Sequence, residues 1–164
     1  MSIDEVDFVT YTADQSYIVK SGIKAINEVL NGTDISEKRS LLFCLDKYLD
    51  PYYGYNLPCF DDIIILLQEQ LFLNDIKKVK EDILELLRYY AKGSLDYLAE
   101  KIEELESDPE LLEEALEALG NTNDLKYVPL FIKYESHYNP NISNAVKEIL
   151  IDLSKLTTSQ KKQT

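Results

Sequence analysis

A chain of 164 residues, 45% of them hydrophobic, is long enough to bury a core and too apolar for a disordered acidic segment. Thirty acids against 17 bases give a net charge of −13. That balance excludes nucleic acid and anionic membrane as partners, since both need Lys and Arg to meet phosphates. Five Gly and five Pro are few for this length and favour long helices with short connections over a β-sandwich.

Taken in chain order, residues 1–15 read as an irregular lead-in, with Val6, Phe8, Val9 and Tyr11 loosely alternating. The N-terminus is acidic and lacks the basic-then-apolar pattern of a secretory signal. The apolar periodicity then predicts eight helices, at 16–31, 36–50, 59–73, 75–92, 94–106, 109–120, 124–137 and 140–156. Asn31-Gly32 and Asp50-Pro51 end the first two. Pro109 and Pro140 are placed at first helical positions, where a missing N–H costs nothing, behind the N-cap residues Asp108 and Asn139. Gly120 reads as the stop of the sixth helix. The segment 157–164, TTSQKKQT, reads as a disordered polar tail, leaving 16–156 as a single domain. The longest apolar run, Ile63 to Leu67, is too short to span a bilayer.

An apolar template at i, i+4, i+7 and i+8 recurs in alternate helices. It fits Leu41, Leu45, Tyr48 and Leu49; Val79, Ile83, Leu86 and Leu87; Leu111, Ala115, Ala118 and Leu119; and Ile142, Val146, Ile149 and Leu150. Helical hairpins of 30 to 40 residues that bury such faces by stacking are the expected unit. The stretch from Asp108-Pro109 through Ala115, Ala118, Leu119 and Gly120 to Val128-Pro129-Leu130 resembles the HEAT-repeat pattern, most clearly over 94–156. That resemblance implies an all-α, right-handed α-solenoid of about four stacked hairpins, whose second helices line a concave face.

Catalytic and metal signals are poor. His137, the single histidine, stands at a helix end without a nucleophile or carboxylate partner at a recognisable spacing. Cys44 and Cys59 form no ligand-spaced pair and suggest free thiols in a reducing, cytoplasmic compartment. There is no Gly-rich phosphate loop, and pairs such as Glu113 and Glu117 read as a solvated helix face. No catalytic residue, metal or cofactor is therefore expected, and the chain reads as a non-enzyme. Among HEAT-like proteins the alkylpurine DNA glycosylases are enzymes that hold DNA on a basic concave face. A chain of charge −13 without Trp departs from that pattern.

Binding signals are better. The template leaves Glu110, Glu113, Glu114 and Glu117 facing out, and equivalent offsets select Glu81, Asp82 and Glu85, then Asn144 and Glu148. Stacked side by side, these residues would form an acidic band, either a binding face or plain solvated surface. Tyr52, Tyr53 and Tyr55 lie in a Pro/Gly loop, and tyrosine supplies large contact area with a polar tip. Small size, acidity and a helical scaffold resemble bacterial immunity proteins of toxin systems. That resemblance implies a monomeric protein that occludes the basic active site of a nuclease-type toxin. The alternative is a general HEAT-like adaptor or scaffold without an inhibitory role.

Overall fold

The protein is described here from a computed structural model covering residues 9–162. Among these residues the fold is all-helical. The chain groups into two compact units that meet in sequence at Leu86 and Leu87, where a single domain over 16–156 was expected. Most of the lead-in, residues 1–8, lies outside the described residues, as do 163–164 of the expected tail.

The first unit begins with α1 (Ala13–Ser21) and α2 (Ile23–Leu30). Sequence periodicity predicted one helix here, giving eight in all; nine α-helices are seen among the described residues. The break is Gly22, whose φ of 105° lies outside the helical region and is open to glycine but strained for other residues. Thr12 starts α1 with a capping box, its hydroxyl accepting the Asp14 N–H while the Gln15 side chain accepts the Thr12 N–H. Next come α3 (Ile35–Leu49), a 3₁₀ turn at Pro51–Tyr53, and α4 (Phe60–Leu73). The helix α5 (Lys77–Tyr90) runs across the boundary.

In this unit α1 packs on α2 and α3, and α2 packs on both α3 and α4. Val19, Ile26, Leu30, Leu41, Leu45, Ile63 and Leu67 form the core. Buried amides knit the helices. Gln70 donates to Asn27 Oδ1 (3.1 Å) and Asn31 Oδ1 (2.7 Å), Asn74 donates to Gln70 Oε1 (2.9 Å), and Lys38 Nζ donates to Asn74 Oδ1 (2.6 Å). Burial of Gln70 and Asn74 is tolerated because their amides meet each other and these partners.

The second unit holds α6 (Asp96–Lys101) continued by 3₁₀ residues Ile102–Leu105, then α7 (Pro109–Asn121). A 3₁₀ turn at Leu125–Tyr127 leads into α8 (Val128–Tyr134), and α9 (Pro140–Lys162) follows. Asp108 caps α7 by accepting the Leu111 N–H, and Pro109 takes its first position. Asn139 accepts the Asn141 N–H before Pro140. Gly120 does not stop α7 but lies inside it; a Cβ there would meet Ile149 at 3.0 Å, so its role is close packing between α7 and α9. The left-handed residue of the following turn is Asn123, at φ 57°. The helix α9 also continues past 156 to Lys162, through residues assigned to a disordered tail. No Gly or Pro interrupts this stretch, and the Thr157 and Thr158 hydroxyls bond back to the carbonyls of Leu153 and Ser154.

Of the template positions, all are buried except Ile149 and Leu150, which are half-buried. In the second unit α7 and α8 both pack on α9. Polar bonds tie residues 96–106, in and after α6, to residues 126–137, in and around α8, at sequence offsets of 30 or 31. Lys126 Nζ meets Asp96 Oδ1 at 3.0 Å, the Tyr127 hydroxyl donates to Asp96 Oδ1 at 2.9 Å, Lys133 pairs with Glu103, and His137 Nε2 lies 3.3 Å from Glu106 Oε2. The Tyr127 hydroxyl also accepts the buried Leu95 N–H at 2.8 Å.

Candidate functional site

The surface that stands out is in the first unit, where α3 ends. Asp50 closes α3 and accepts the Tyr52 N–H at 2.9 Å, and Pro51 takes the first position of the 3₁₀ turn with its fixed φ. Gly54 then turns the chain at φ 71°, a conformation that disfavours any side chain. The turn brings Tyr55 back onto the buried Tyr48, their rings 4.5 Å apart and tilted by 38°. Tyr52 and Tyr53 meet edge to face at 5.2 Å and 89°. Tyr52 is 85% exposed, Tyr53 52% and Tyr55 42%, so three aromatic rings stand in water on a fixed loop.

Three neighbours complete this patch that sequence reasoning did not select. Lys47 Nζ lies 5.7 Å from the centre of the Tyr53 ring and 5.9 Å from that of Tyr55. A hydrogen bond with Tyr11 holds its ammonium above the ordinary lysine value, helped by Tyr11 and Tyr55 charge. Tyr11 in turn packs against the exposed Phe43, with ring centres 5.8 Å apart. Phe43 and Lys47 are four residues apart on α3, one face leading straight into the tyrosine loop. That spacing was the available signal; Tyr11, in an aperiodic stretch, offered none.

The acidic residues expected in the band fall in both units. Glu81, Asp82 and Glu85 fall in the first unit, and Glu110, Glu113, Glu114, Glu117, Asn144 and Glu148 in the second. Asp82 is held by Arg39 through Nε–Oδ2 at 2.7 Å and Nη2–Oδ1 at 3.1 Å, a bidentate pair with side chains only 13% and 22% exposed. Glu117 accepts from Arg88 Nη1 at 3.0 Å. Two of the expected carboxylates thus already have cationic partners within the chain. Glu81, Glu113 and Glu114 are half-buried, while Glu85, Glu110, Asn144 and Glu148 are exposed. Burial, then the charges of Glu117 and Glu110, raise the Glu113 carboxyl above its ordinary range.

The remaining titratable groups have structural surroundings. His137 follows α8; its Nδ1 accepts the Asn139 N–H at 3.1 Å, and its ring stacks on Tyr138 at 4.4 Å. The hydroxyl of Tyr134 is buried without a hydrogen-bond partner of good geometry, and burial and the carboxylates of Glu106 and Glu103 hold its proton on. Cys44 is fully buried, 3.7 Å from the Ser16 hydroxyl, and burial raises its thiol above the usual value. A cleft of about 320 Å³ beside α3 is lined by Val9, Ile35, Ile76, Ser36, Arg39 and Lys78. Its arginine is engaged by Asp82.

Among the described residues, no group of three or more His, Cys, Asp or Glu side chains is arranged to hold a metal ion. No described helix is long and apolar enough to cross a membrane. The chain matches no protein-family model, no curated protein and no solved structure.

Proposed function

We propose that this chain is a protein-binding module for a basic partner. The observation that carries the reading is the tyrosine loop at the end of α3, three exposed rings on a fixed turn of a chain with net charge −13. Tyrosine anchors supply contact area at low entropic cost, and opposite potential steers the encounter. Glu110, Glu113 and Glu114 on α7, with Asn144 and Glu148 on α9, supply acidic and polar surface in the second unit. Asp82 and Glu117 act instead as internal ion-pair partners.

Within that class we favour an immunity-type inhibitor, cytoplasmic and monomeric, that occludes the basic active site of a nuclease-type toxin and is not itself an enzyme. Free Cys44 and Cys59 fit a reducing compartment. The HEAT-like reading is carried here for residues 94–156. It is supported by the packing of α7 on α9 and by bonds linking positions about 31 apart, such as Tyr127 with Asp96 and His137 with Glu106.

The test is to purify the tagged chain with its bound protein, identify that protein by mass spectrometry and reassemble the pair from pure components. A basic partner whose nuclease activity falls on binding supports the reading. A neutral or acidic partner, or association that ignores ionic strength, overturns it and favours a general adaptor.

A further inference from the structure

The tyrosine loop carries a more specific inference, which rests on the basic-partner reading. We propose that Tyr52, Tyr53 and Tyr55 form a cation-recognition cage for an arginine side chain of the partner, which takes the ring faces that Lys47 holds in the free protein. The internal lysine shows what chemistry these faces accept. Its ammonium lies 5.7 Å from Tyr53 and 5.9 Å from Tyr55. Those distances are near the outer limit of about 6 Å for a cation over an aromatic ring, so Lys47 is loosely held.

A guanidinium has two advantages over this resident. It is planar and more weakly hydrated than an ammonium, so it can lie flat on a ring. The perpendicular pair Tyr52 and Tyr53, with ring centres 5.2 Å apart and planes at 89°, turns two ring planes in different directions, and it is the negative face of a ring that attracts a cation. The floor is firm, because Tyr55 leans on the buried Tyr48 and the loop is set by Pro51 and Gly54. Lys47 has a flexible four-carbon stem and a second polar neighbour in Tyr11, so it can leave the rings without losing every partner. Asp46 and Asp50, on either side of Lys47 in sequence, bring negative charge to the same end of α3.

Nona-arginine amide and nona-lysine amide serve as probes of equal charge, titrated into the full chain and followed by the aromatic NMR signals of the tyrosines. The expected result is that nona-arginine shifts the Tyr52, Tyr53 and Tyr55 ring signals and binds about fivefold more tightly than nona-lysine, the size expected of one or two exposed cation–aromatic contacts. Tyr52→Leu and Tyr53→Leu should each reduce that preference. Tyr52 is the safer substitution because it is almost wholly exposed. Lys47→Met should tighten nona-arginine binding more than Lys155→Met, which changes the net charge equally on α9.

Equal affinity for both probes with unmoved tyrosine signals overturns the cage. If that binding still weakens with salt, the basic-partner reading survives. If neither polycation binds at low salt, both fail. A dimer of the wild-type chain in sedimentation that Tyr52→Leu dissolves assigns the loop to a second copy and also overturns the proposal.

Discussion

Removing the Asp82 carboxylate tests whether that residue belongs to the fold or to a binding face. The Arg39–Asp82 pair makes two charge-assisted hydrogen bonds, at 2.7 and 3.1 Å, from side chains 13% and 22% exposed. Exposed pairs contribute about 0–1 kcal/mol, while breaking a buried pair costs about 3–5 kcal/mol because a charge is left stranded. The geometry here is bidentate and mostly covered, so Asp82→Ala should cost about 2 kcal/mol. The Lys133–Glu103 pair, with side chains 55% and 69% exposed, is the internal control, and Glu103→Ala should cost far less than Asp82→Ala. Urea unfolding monitored by circular dichroism gives both values, and double-mutant cycles with Arg39→Met and Lys133→Met isolate the couplings. If the Asp82 coupling is no larger than that of Glu103, the pair is not a structural element. Asp82 would then return to the list of surface carboxylates available to a partner.

Three further outcomes follow from particular contacts. Gly120→Ala gains about 1 kcal/mol of helix propensity but drives a methyl to 3.0 Å from Ile149, so it should destabilise by about 1 kcal/mol overall. In an Ile149→Ala background the same change should stabilise, a reversal that urea midpoints will register. The Asp96 carboxyl is drawn down to about 2 by hydrogen bonds from Ser94, Lys126 and Tyr127, so its contribution is present above pH 3.8 and lost as pH falls toward 2. Carboxyl NMR titration of Tyr127→Phe should show Asp96 moving up toward 3.8. The same variant should lose about 1–3 kcal/mol because the buried Leu95 N–H loses its acceptor. In a thiol-reagent assay Cys59 should react in the native protein and Cys44 only on unfolding, because Cys44 is buried and burial keeps it a thiol. Rapid modification of both would refute the packing of α1 on α3.

Helix location was legible because its signals are local. Asp108-Pro109 and Asn139-Pro140 place two helix starts correctly, and the apolar template picks buried faces on four helices. What escaped depends on tertiary neighbours. Gly22 and Gly120 look alike in sequence, each a lone glycine in a helical pattern. One breaks a helix through its backbone angle, and the other continues a helix to admit Ile149. The tyrosine loop was readable from its own Asp, Pro and Gly. Its lysine was not, because nothing in the local pattern says that Lys47 folds over Tyr53. The acidic residues escaped most fully. Outward position follows from helical offsets, but the pairing of Asp82 with Arg39 and of Glu117 with Arg88 depends on how distant helices align.

The two kinds of candidate residue have different kinetic roles. Surface acids act at a distance and mainly set how often a basic partner arrives, whereas aromatic rings that become covered on binding set how long it stays. Reversing Glu113, Glu114 and Glu117 together would be a poor test, since Glu117 is bonded to Arg88 and its loss perturbs the second unit itself. Neutralising Glu113 and Glu114 to Gln keeps shape and removes two charges. With the identified partner, this change should slow association several-fold at low salt and have little effect near 1 M, where the screening length is about 3 Å. Tyr52→Ala with Tyr53→Ala should leave association nearly unchanged and speed dissociation by tenfold or more, the size expected of interface anchors. Surface plasmon resonance across a salt series separates the two rates. If the glutamine variant changes only dissociation, Glu113 and Glu114 lie inside the contact rather than around it, and the steering role assigned to them is wrong.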